Sequence, residues 1–341
     1  MNRKNLLKTL DAVSKGLERN TVIPIYEYFC FTGKTVFGFN DAFGVVAPWH
    51  VKQPFAVHGP TFKNLLYASK SDEIDVTVTH EGLSIQAGVS EYMIPIKGPD
   101  EFVWHEPEFE FFELGLDVIK GIKLCLATCS ENLALEAFNR VCIKSRPPEH
   151  KVYVYATDGD ALTKYDTGII TEDNVGDIDF CLSRDFCDAI ISISNGNAVM
   201  KVGKEWICLE TDSIKVYGHN LGPTTLDYDK KIVESLGQQV TNLVPIPEGL
   251  LDEALTRARV VSDIETAPTT LVIEKNQMLI QTTTPFGDVF DQVAVKHPDI
   301  EININAAMIQ NSMKGCNQFK LTENSSVFTG DRMLRLVANL S

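Results

Sequence analysis

Gly59-Pro60-Thr61-Phe62-Lys63-Asn64-Leu65-Leu66-Tyr67-Ala68 reads as one short helix, because Pro60 stands where a helix can begin and the apolar residues recur at the helical period. Two other stretches read the same way: Ser183-Arg184-Asp185-Phe186-Cys187-Asp188-Ala189-Ile190-Ile191 and Asn305-Ala306-Ala307-Met308-Ile309-Gln310-Asn311-Ser312-Met313-Lys314. Counted from Pro60, Ser183 and Asn305, the spacings are 123 and 122 residues. A fixed spacing of this kind marks an internal repeat, which decides the fold before any single motif does.

The flanks of the three helices repeat too. An extended stretch precedes each: Pro54-Phe55-Ala56-Val57, Asp179-Phe180-Cys181-Leu182 and Ile300-Glu301-Ile302-Asn303-Ile304. Alternating segments follow. Ile74-Asp75-Val76-Thr77-Val78-Thr79 turns at His80-Glu81-Gly82 into Leu83-Ser84-Ile85, a hairpin by its period of two. Thr269 to Ile280 alternates likewise, and Asn195-Gly196-Asn197 supplies a turn in the middle copy. Upstream in each copy lies a further helix: residues 4–19, 114–123 and 247–258, the last opened by Pro247 and Glu248. The expected architecture is α+β, with three similar domains of two helices on antiparallel strands, over residues 1–107, 108–222 and 223–341. Linkers are expected near Lys97-Gly98-Pro99-Asp100 and near Gly218 to Pro223.

Composition bounds the rest. A chain of 341 residues suits two or three domains, and 44% hydrophobic with 23% charged residues is a globular balance. No apolar run reaches membrane-spanning length, and Lys8, Asp11 and Lys15 interrupt the N-terminal stretch where a secretory signal would stay apolar. A cytoplasmic protein without a membrane role is expected. The eight cysteines form no C-x-x-C and no zinc spacing, so buried reduced thiols are expected and no metal.

The net charge of −15 argues against a nucleic-acid partner unless the positive charge is localised. It is. On a helix from 4 to 19, Lys4, Lys8, Lys15 and Arg19 fall within about 60° of one another, and Leu6, Leu10, Val13 and Leu17 fall opposite. Across the six helix windows (3–19, 61–70, 114–124, 183–192, 248–259 and 306–315) there are 13 basic and 8 acidic residues; the remainder has 18 and 38. Basic helices beside acidic strands suit contact with a polyanion. The cations concerned are Lys4, Lys8, Lys15, Arg19, Lys63, Lys70, Lys120, Lys123, Arg257, Arg259 and Lys314. Without aromatic residues interleaved for base stacking, duplex backbone is the implied target, contacted without sequence preference.

Catalytic patterns are missing. Gly33-Lys34-Thr35 resembles the end of a phosphate-binding loop, but Tyr28 stands where its first glycine belongs. There is no G-x-S-x-G, no H-E-x-x-H and no dinucleotide fingerprint, so no enzyme and no cofactor is expected. Asp158, Asp160 and Asp166 cluster near Gly159, as turn residues or as a divalent-cation site. Asn324-Ser325-Ser326 matches a glycosylation sequon with no other sign of secretion.

Three runs resemble the bacterial DNA polymerase sliding clamp, the beta-subunit family. They are Leu6-Leu7-Lys8 with Val13 and then Thr21-Val22-Ile23-Pro24-Ile25; Val57-His58-Gly59-Pro60-Thr61-Phe62-Lys63-Asn64-Leu65-Leu66 with Asp72-Glu73-Ile74; and Ala156-Thr157-Asp158-Gly159 with Leu162, similar to A-T-D-G-x-x-L. The resemblance covers essentially the whole chain. It implies three clamp domains forming half of a six-domain ring: a head-to-tail homodimer around duplex DNA, with a DNA polymerase and a clamp loader as partners. It also implies an apolar pocket for partner peptides, carried over here to Thr157, Gly159, Leu162, Leu226 and Val337. Two departures stand out. Asp160-Ala161 replaces the usual His-Arg, and the chain ends Leu336-Val337-Ala338-Asn339-Leu340-Ser341 where the family has Met-Pro-x-Arg. Both fit a divergent member, for instance a phage-encoded clamp with its own polymerase. Two alternatives stay open: a β-rich assembly or virion protein, and an open clamp-like scaffold without ring closure.

Overall fold

The structure, a computed structural model, describes residues 1–18, 21–146, 148, 150–171, 177–194, 196–236, 242–247, 249–261, 268–285 and 287–340. The chain divides into two compact units, Met1–Ile119 with Asp185–Gly222, and Lys120–Arg184 with Pro223–Ser341.

The first stretch of chain runs α1 (Arg3–Val13), β1 (Tyr28–Phe31), β2 (Thr35–Phe39), β3 (Phe43–Pro48), β4 (Phe55–His58), α2 (Gly59–Ala68), β5 (Asp75–Val78), β6 (Leu83–Ala87), β7 (Ser90–Ile94) and β8 (Ile96–Lys97). The middle runs β9 (Phe112–Leu114), α3 (Leu116–Cys125), β10 (Arg140–Arg146), β11 (Lys151–Thr157), β12 (Ala161–Ile170), β13 (Asp179–Ser183), α4 (Arg184–Ile193), β14 (Val199–Val202), β15 (Trp206–Glu210) and β16 (Lys215–His219). The last runs α5 (Tyr228–Leu236), β17 (Val244–Pro245), α6 (Leu250–Val261), β18 (Thr269–Glu274), β19 (Gln277–Thr284), β20 (Gly287–Ala294), β21 (Ile300–Ile304), α7 (Ala306–Met313), β22 (Gln318–Leu321), β23 (Ser325–Gly330) and β24 (Met333–Ala338).

The three repeated short helices are α2, α4 and α7, within two residues of their expected ends. Asn305 caps α7 as its sequence predicts: its Oδ1 accepts from the Ala307 and Met308 amides at 3.0 and 3.2 Å. The predicted hairpins are β5–β6 and β18–β19. Of the turn at 195–197, Asn195 lies outside the described residues.

The first helix is shorter than its pattern. It is capped by Asn2, whose side chain accepts from the Asn5 amide, and it buries Leu6, Leu7, Leu10 and Val13. It stops at Val13, a 3₁₀ turn spans Ser14–Gly16, and Leu17 is extended. The cause is close packing. A Cβ on Gly16 would lie 2.4 Å from the Gly38 carbonyl oxygen, and the Leu17 side chain crowds Gly38 and Gly59. The single basic face expected over 4–19 is therefore corrected. Lys4 and Lys8 ride on α1, Lys15 stands on the 3₁₀ turn, and Arg19 lies outside the described residues.

In the first unit a nine-stranded sheet has the order β8-β4-β1-β2-β3-β16-β15-β14-β9, beside a three-stranded sheet β5-β6-β7. In the second unit an eight-stranded sheet has the order β13-β10-β11-β12-β24-β23-β22-β17, beside a four-stranded sheet β20-β19-β18-β21. Every pairing is antiparallel. In the second unit α6 and α7 bury Leu251, Ala254, Leu255, Ala258 and Ile309 against Ile273, Met278, Ile280 and Ile304. Each of those leucines and isoleucines contributes on the order of 2 kcal/mol by leaving water. In the first unit Trp104 stacks on Phe39 at 5.3 Å and fills the surface left open by Gly44.

The cysteines depart from expectation at one place. Cys142 of β10 and Cys181 of β13 are direct cross-strand partners and form a disulfide, while Cys30, Cys125, Cys129, Cys187 and Cys208 are buried thiols.

Candidate binding pocket and basic helix faces

Strand β12 of the second unit pairs with β24 in the register Ala161↔Val337 and Leu162↔Leu336. The turn entering β12 is built by its own side chains. Asp158 Oδ1 accepts from the Asp160 and Ala161 amides at 3.0 and 2.7 Å, and Thr157 Oγ1 donates to the Ala161 carbonyl at 2.6 Å while accepting from the Gly159 amide. Gly159 has φ +105°, where a side chain would be strained. The Asp160 carbonyl then accepts from the Ala338 amide at 2.8 Å, tying the turn to β24. Asp166 Oδ1 accepts from the Gly168 amide, so Asp158 and Asp166 both serve turns.

This junction floors a cavity of about 260 Å³. Thr157, Gly159, Leu162, Leu226 and Val337, the five positions picked out in the sequence, all line it. Phe138, Ala161, Tyr228, Leu336 and Ala338 complete the apolar lining, with Asp160, Lys231, Asn324 and Ser325 as its polar members.

One wall is helix α5, which the sequence reading did not anticipate. Its start signal is present: Asp227 Oδ1 accepts from the Lys230 amide at 3.1 Å, as a helix cap does. Tyr228 is 1% exposed, stacks on Tyr155 with centroids 5.1 Å apart, and brings its hydroxyl 3.4 Å from Cys142 Sγ. The next residue pins the helix. Asp229 accepts from the Tyr155 hydroxyl at 3.1 and 3.2 Å, and pairs with Lys164 at 2.9 Å and Arg146 at 2.6 Å. Partial burial would raise the Asp229 pKa, but Lys164 and Arg146 outweigh it and hold the carboxyl below its ordinary range. Burial pushes the Tyr155 hydroxyl up, so it remains a donor.

The predicted cations differ in availability. Lys8, Lys15, Lys70, Lys120 and Lys123 are exposed, with Lys120 Nζ 5.8 Å from the Tyr165 ring centroid. Lys4 Nζ is 3.0 Å from Asp72 Oδ1, and Lys63 Nζ is 2.7 Å from Asp11 Oδ1. Arg257 forms a two-pronged pair with Asp291, both contacts at 2.9 Å. Arg259 donates to Gln310 Oε1 at 2.6 Å, and Lys314 donates to Asn311 Oδ1 at 2.9 Å. No helix among the described residues is long and apolar enough to cross a membrane.

No family model and no curated protein matches the chain. Solved structures do. The sliding clamp (DNA polymerase III subunit beta) from Bartonella birtlesii, bound to griselimycin, has a TM-score of 0.88 at 17% identity, covering 100% of this chain and 98% of its own. The DNA polymerase III subunit beta from Pseudomonas aeruginosa has a TM-score of 0.85 at 18% identity, with the same coverage. The Helicobacter pylori beta clamp bound to a DNA ligase peptide has a TM-score of 0.82 at 13% identity, covering 100% and 99%. The chain has the fold of these beta subunits from end to end, on a divergent sequence.

Proposed function

We propose that this chain is a DNA polymerase sliding clamp, a non-enzymatic processivity factor that encircles duplex DNA and tethers a polymerase to it. The observation that carries this reading is the convergence of Thr157, Gly159, Leu162, Leu226 and Val337 on one apolar cavity within a beta-subunit fold. The Helicobacter pylori relative is bound to a DNA ligase peptide, and a peptide is the occupant that we assign to this cavity. The partners would be a DNA polymerase, a clamp loader and other proteins carrying such a peptide. A protein with this role works in the cytoplasm.

The strand orders support three domains over 1–107, 108–222 and 223–341. The blocks β4-β1-β2-β3, β13-β10-β11-β12 and β21-β18-β19-β20 are equivalent, as are β14-β15-β16, β22-β23-β24 and β5-β6-β7. In the first two cases the last strands meet, as β3 with β16 and β12 with β24. By the same rule β20 would meet β7, and within one chain they belong to separate sheets. A second copy satisfies both: β20 of one chain pairs with β7 of its partner, head to tail, and the repetition of that contact closes a ring. Closure also removes two unpaired sheet edges.

The test has two parts. Light scattering should give about twice the 37.9 kDa chain mass. Once loaded, the protein should stay on nicked circular DNA and run off after linearisation. A strict monomer that binds both templates alike would overturn the reading.

A further inference from the structure

Two of the cations on the first helix pair are already occupied by acids of the same unit. Lys63, on α2, is 20% exposed and held between Asp11 Oδ1 at 2.7 Å and Ser14 Oγ at 3.1 Å. The Tyr67 hydroxyl donates to both oxygens of the same carboxylate, at 2.7 and 2.9 Å. Burial alone would raise the Asp11 pKa, but the bonds from Lys63 and Tyr67 keep it lowered. Lys4 sits 3.0 Å from Asp72, with Arg3 3.8 Å away on the other side. Lys8 and Lys15, by contrast, are exposed and have no ion pair among the described residues. Neither acid is buried: Asp11 is 47% exposed and Asp72 63%. Each neutralises a cation, and Asp11 holds the Tyr67 hydroxyl besides.

We propose that Asp11 and Asp72 set the grip of the ring on DNA, each holding a lysine that would otherwise reach a backbone phosphate. This rests on the DNA-encircling role proposed above. A phosphate contact adds affinity without sequence information, and every cation committed to one slows translation along the duplex. An exposed ion pair is a weak hold, so the carboxylate does not lock its lysine away. It competes with the phosphate and, within the ~10 Å screening length, repels it. The balance leaves a helix pair that is open at Lys8 and Lys15 and damped at Lys4 and Lys63. Arg257 and Asp291 repeat the arrangement on α6, but Asp291 stands on the edge strand β20, where substitution would mix grip with assembly.

The test compares three variants with the unsubstituted chain: Asp72→Asn, Asp11→Asn with Asp72→Asn, and Lys8→Gln with Lys15→Gln. The probe is a short labelled duplex, read by fluorescence anisotropy over a salt series. The double asparagine variant should bind about tenfold tighter at low salt for each lysine released, and its log K against log salt should steepen by roughly 0.9 per lysine. Asp72→Asn alone should give the one-lysine effect, and its exposed pair makes it safe for folding. The glutamine variant should bind more weakly with a flatter slope. If the asparagine variants match the unsubstituted chain while the glutamine variant weakens, grip-setting is wrong and the DNA role stands. If no variant changes binding, the DNA role itself fails.

Discussion

The Arg335 guanidinium donates through Nη2 to the carbonyl oxygen of Leu124 at 2.9 Å, while its Nη1 donates to the carbonyls of Asn311, Ser312 and Lys314 at 2.9, 3.3 and 2.9 Å. One strand residue thus caps the C-terminal ends of α3 and α7 within the second unit. Those ends carry unsatisfied carbonyls and the negative pole of the helix dipole, which is what a cation complements. Arg335 is 2% exposed and faces carbonyls instead of a carboxylate.

Arg335→Met should therefore cost about 3 kcal/mol, since it leaves four carbonyls without their charge-assisted donor. The urea midpoint should fall accordingly. Arg335→Lys should recover only part of the loss, because one ammonium cannot span both helix ends. A methionine variant as stable as the parent would refute the capping role.

Leu226 is a half-exposed wall of the cavity, so its substitution leaves the core intact. Leu226→Asp places a charge where a partner's apolar side chain would be buried, at a desolvation cost of about 2–3 kcal/mol. That predicts on the order of 100-fold weaker capture of the cognate polymerase, measured by surface plasmon resonance, with an unchanged solution mass.

Asp229 couples the pocket to acid. Its folded pKa is depressed, so its contribution to stability is present above the unfolded value and is lost as pH falls through the folded one. Asp229→Asn should remove that loss below pH ~4. At neutral pH it should weaken peptide capture, because Lys164 and Arg146 then face each other without a carboxylate and α5 loses its anchor. Melting against pH, read beside peptide binding, separates the two effects.

His297 predicts a second pH window. Its Nε2 accepts from the Leu321 amide at 2.9 Å and its Nδ1 donates to the Pro298 carbonyl at 2.8 Å, so the folded site holds a neutral ring. Burial lowers its pKa below the ordinary 6.5, outweighing the opposing hydrogen bond to the Pro298 carbonyl. As pH falls through that ordinary value the unfolded chain takes up a proton and the folded chain does not, so stability drops until the folded pKa is reached. The melting temperature should decline between pH ~7 and ~5.5, a window set by the ordinary histidine pKa. It should stay flat over that window in His297→Gln.

How far all this was legible depends on distance along the chain. Helix starts, hairpin alternation and the repeat spacing are local signals, and α2, α4, α7 and the β5–β6 hairpin follow them closely. The end of α1 is not local: Gly16 packs against the backbone of Gly38 in β2, with the whole of β1 lying between them along the chain. The pairs that damp the cations are more remote still, with Asp72 far from Lys4 and Asp291 on a different element from Arg257. A helical wheel counts charges but cannot see such partners. The pocket was half legible: its five resemblance-derived positions converge, whereas Phe138, Tyr228 and Lys231 enter from elements that no motif announced.

The edge strand β20 carries the last prediction. Phe290 is 60% exposed there, and Met93 is 44% exposed on β7, the strand assigned to meet it from a second copy. An exposed aromatic residue on an unpaired edge invites association, and a charge there opposes it. Phe290→Glu should leave the fold intact, because the residue makes no use of the core of its own sheet. It should lower the solution mass from about two chains toward the single-chain 37.9 kDa, and shorten retention on circular DNA in proportion. A charge-reversed pair would sharpen the result: Met93→Lys should restore the dimer only in the Phe290→Glu background, as cross-strand partners of opposite charge do. If Phe290→Glu keeps the full dimer mass at low micromolar concentration, β20 is not the closing edge, and the contact must be sought on the opposite edges of the same two sheets, β5 or β21, the latter already bridged at Asn303 by Leu340.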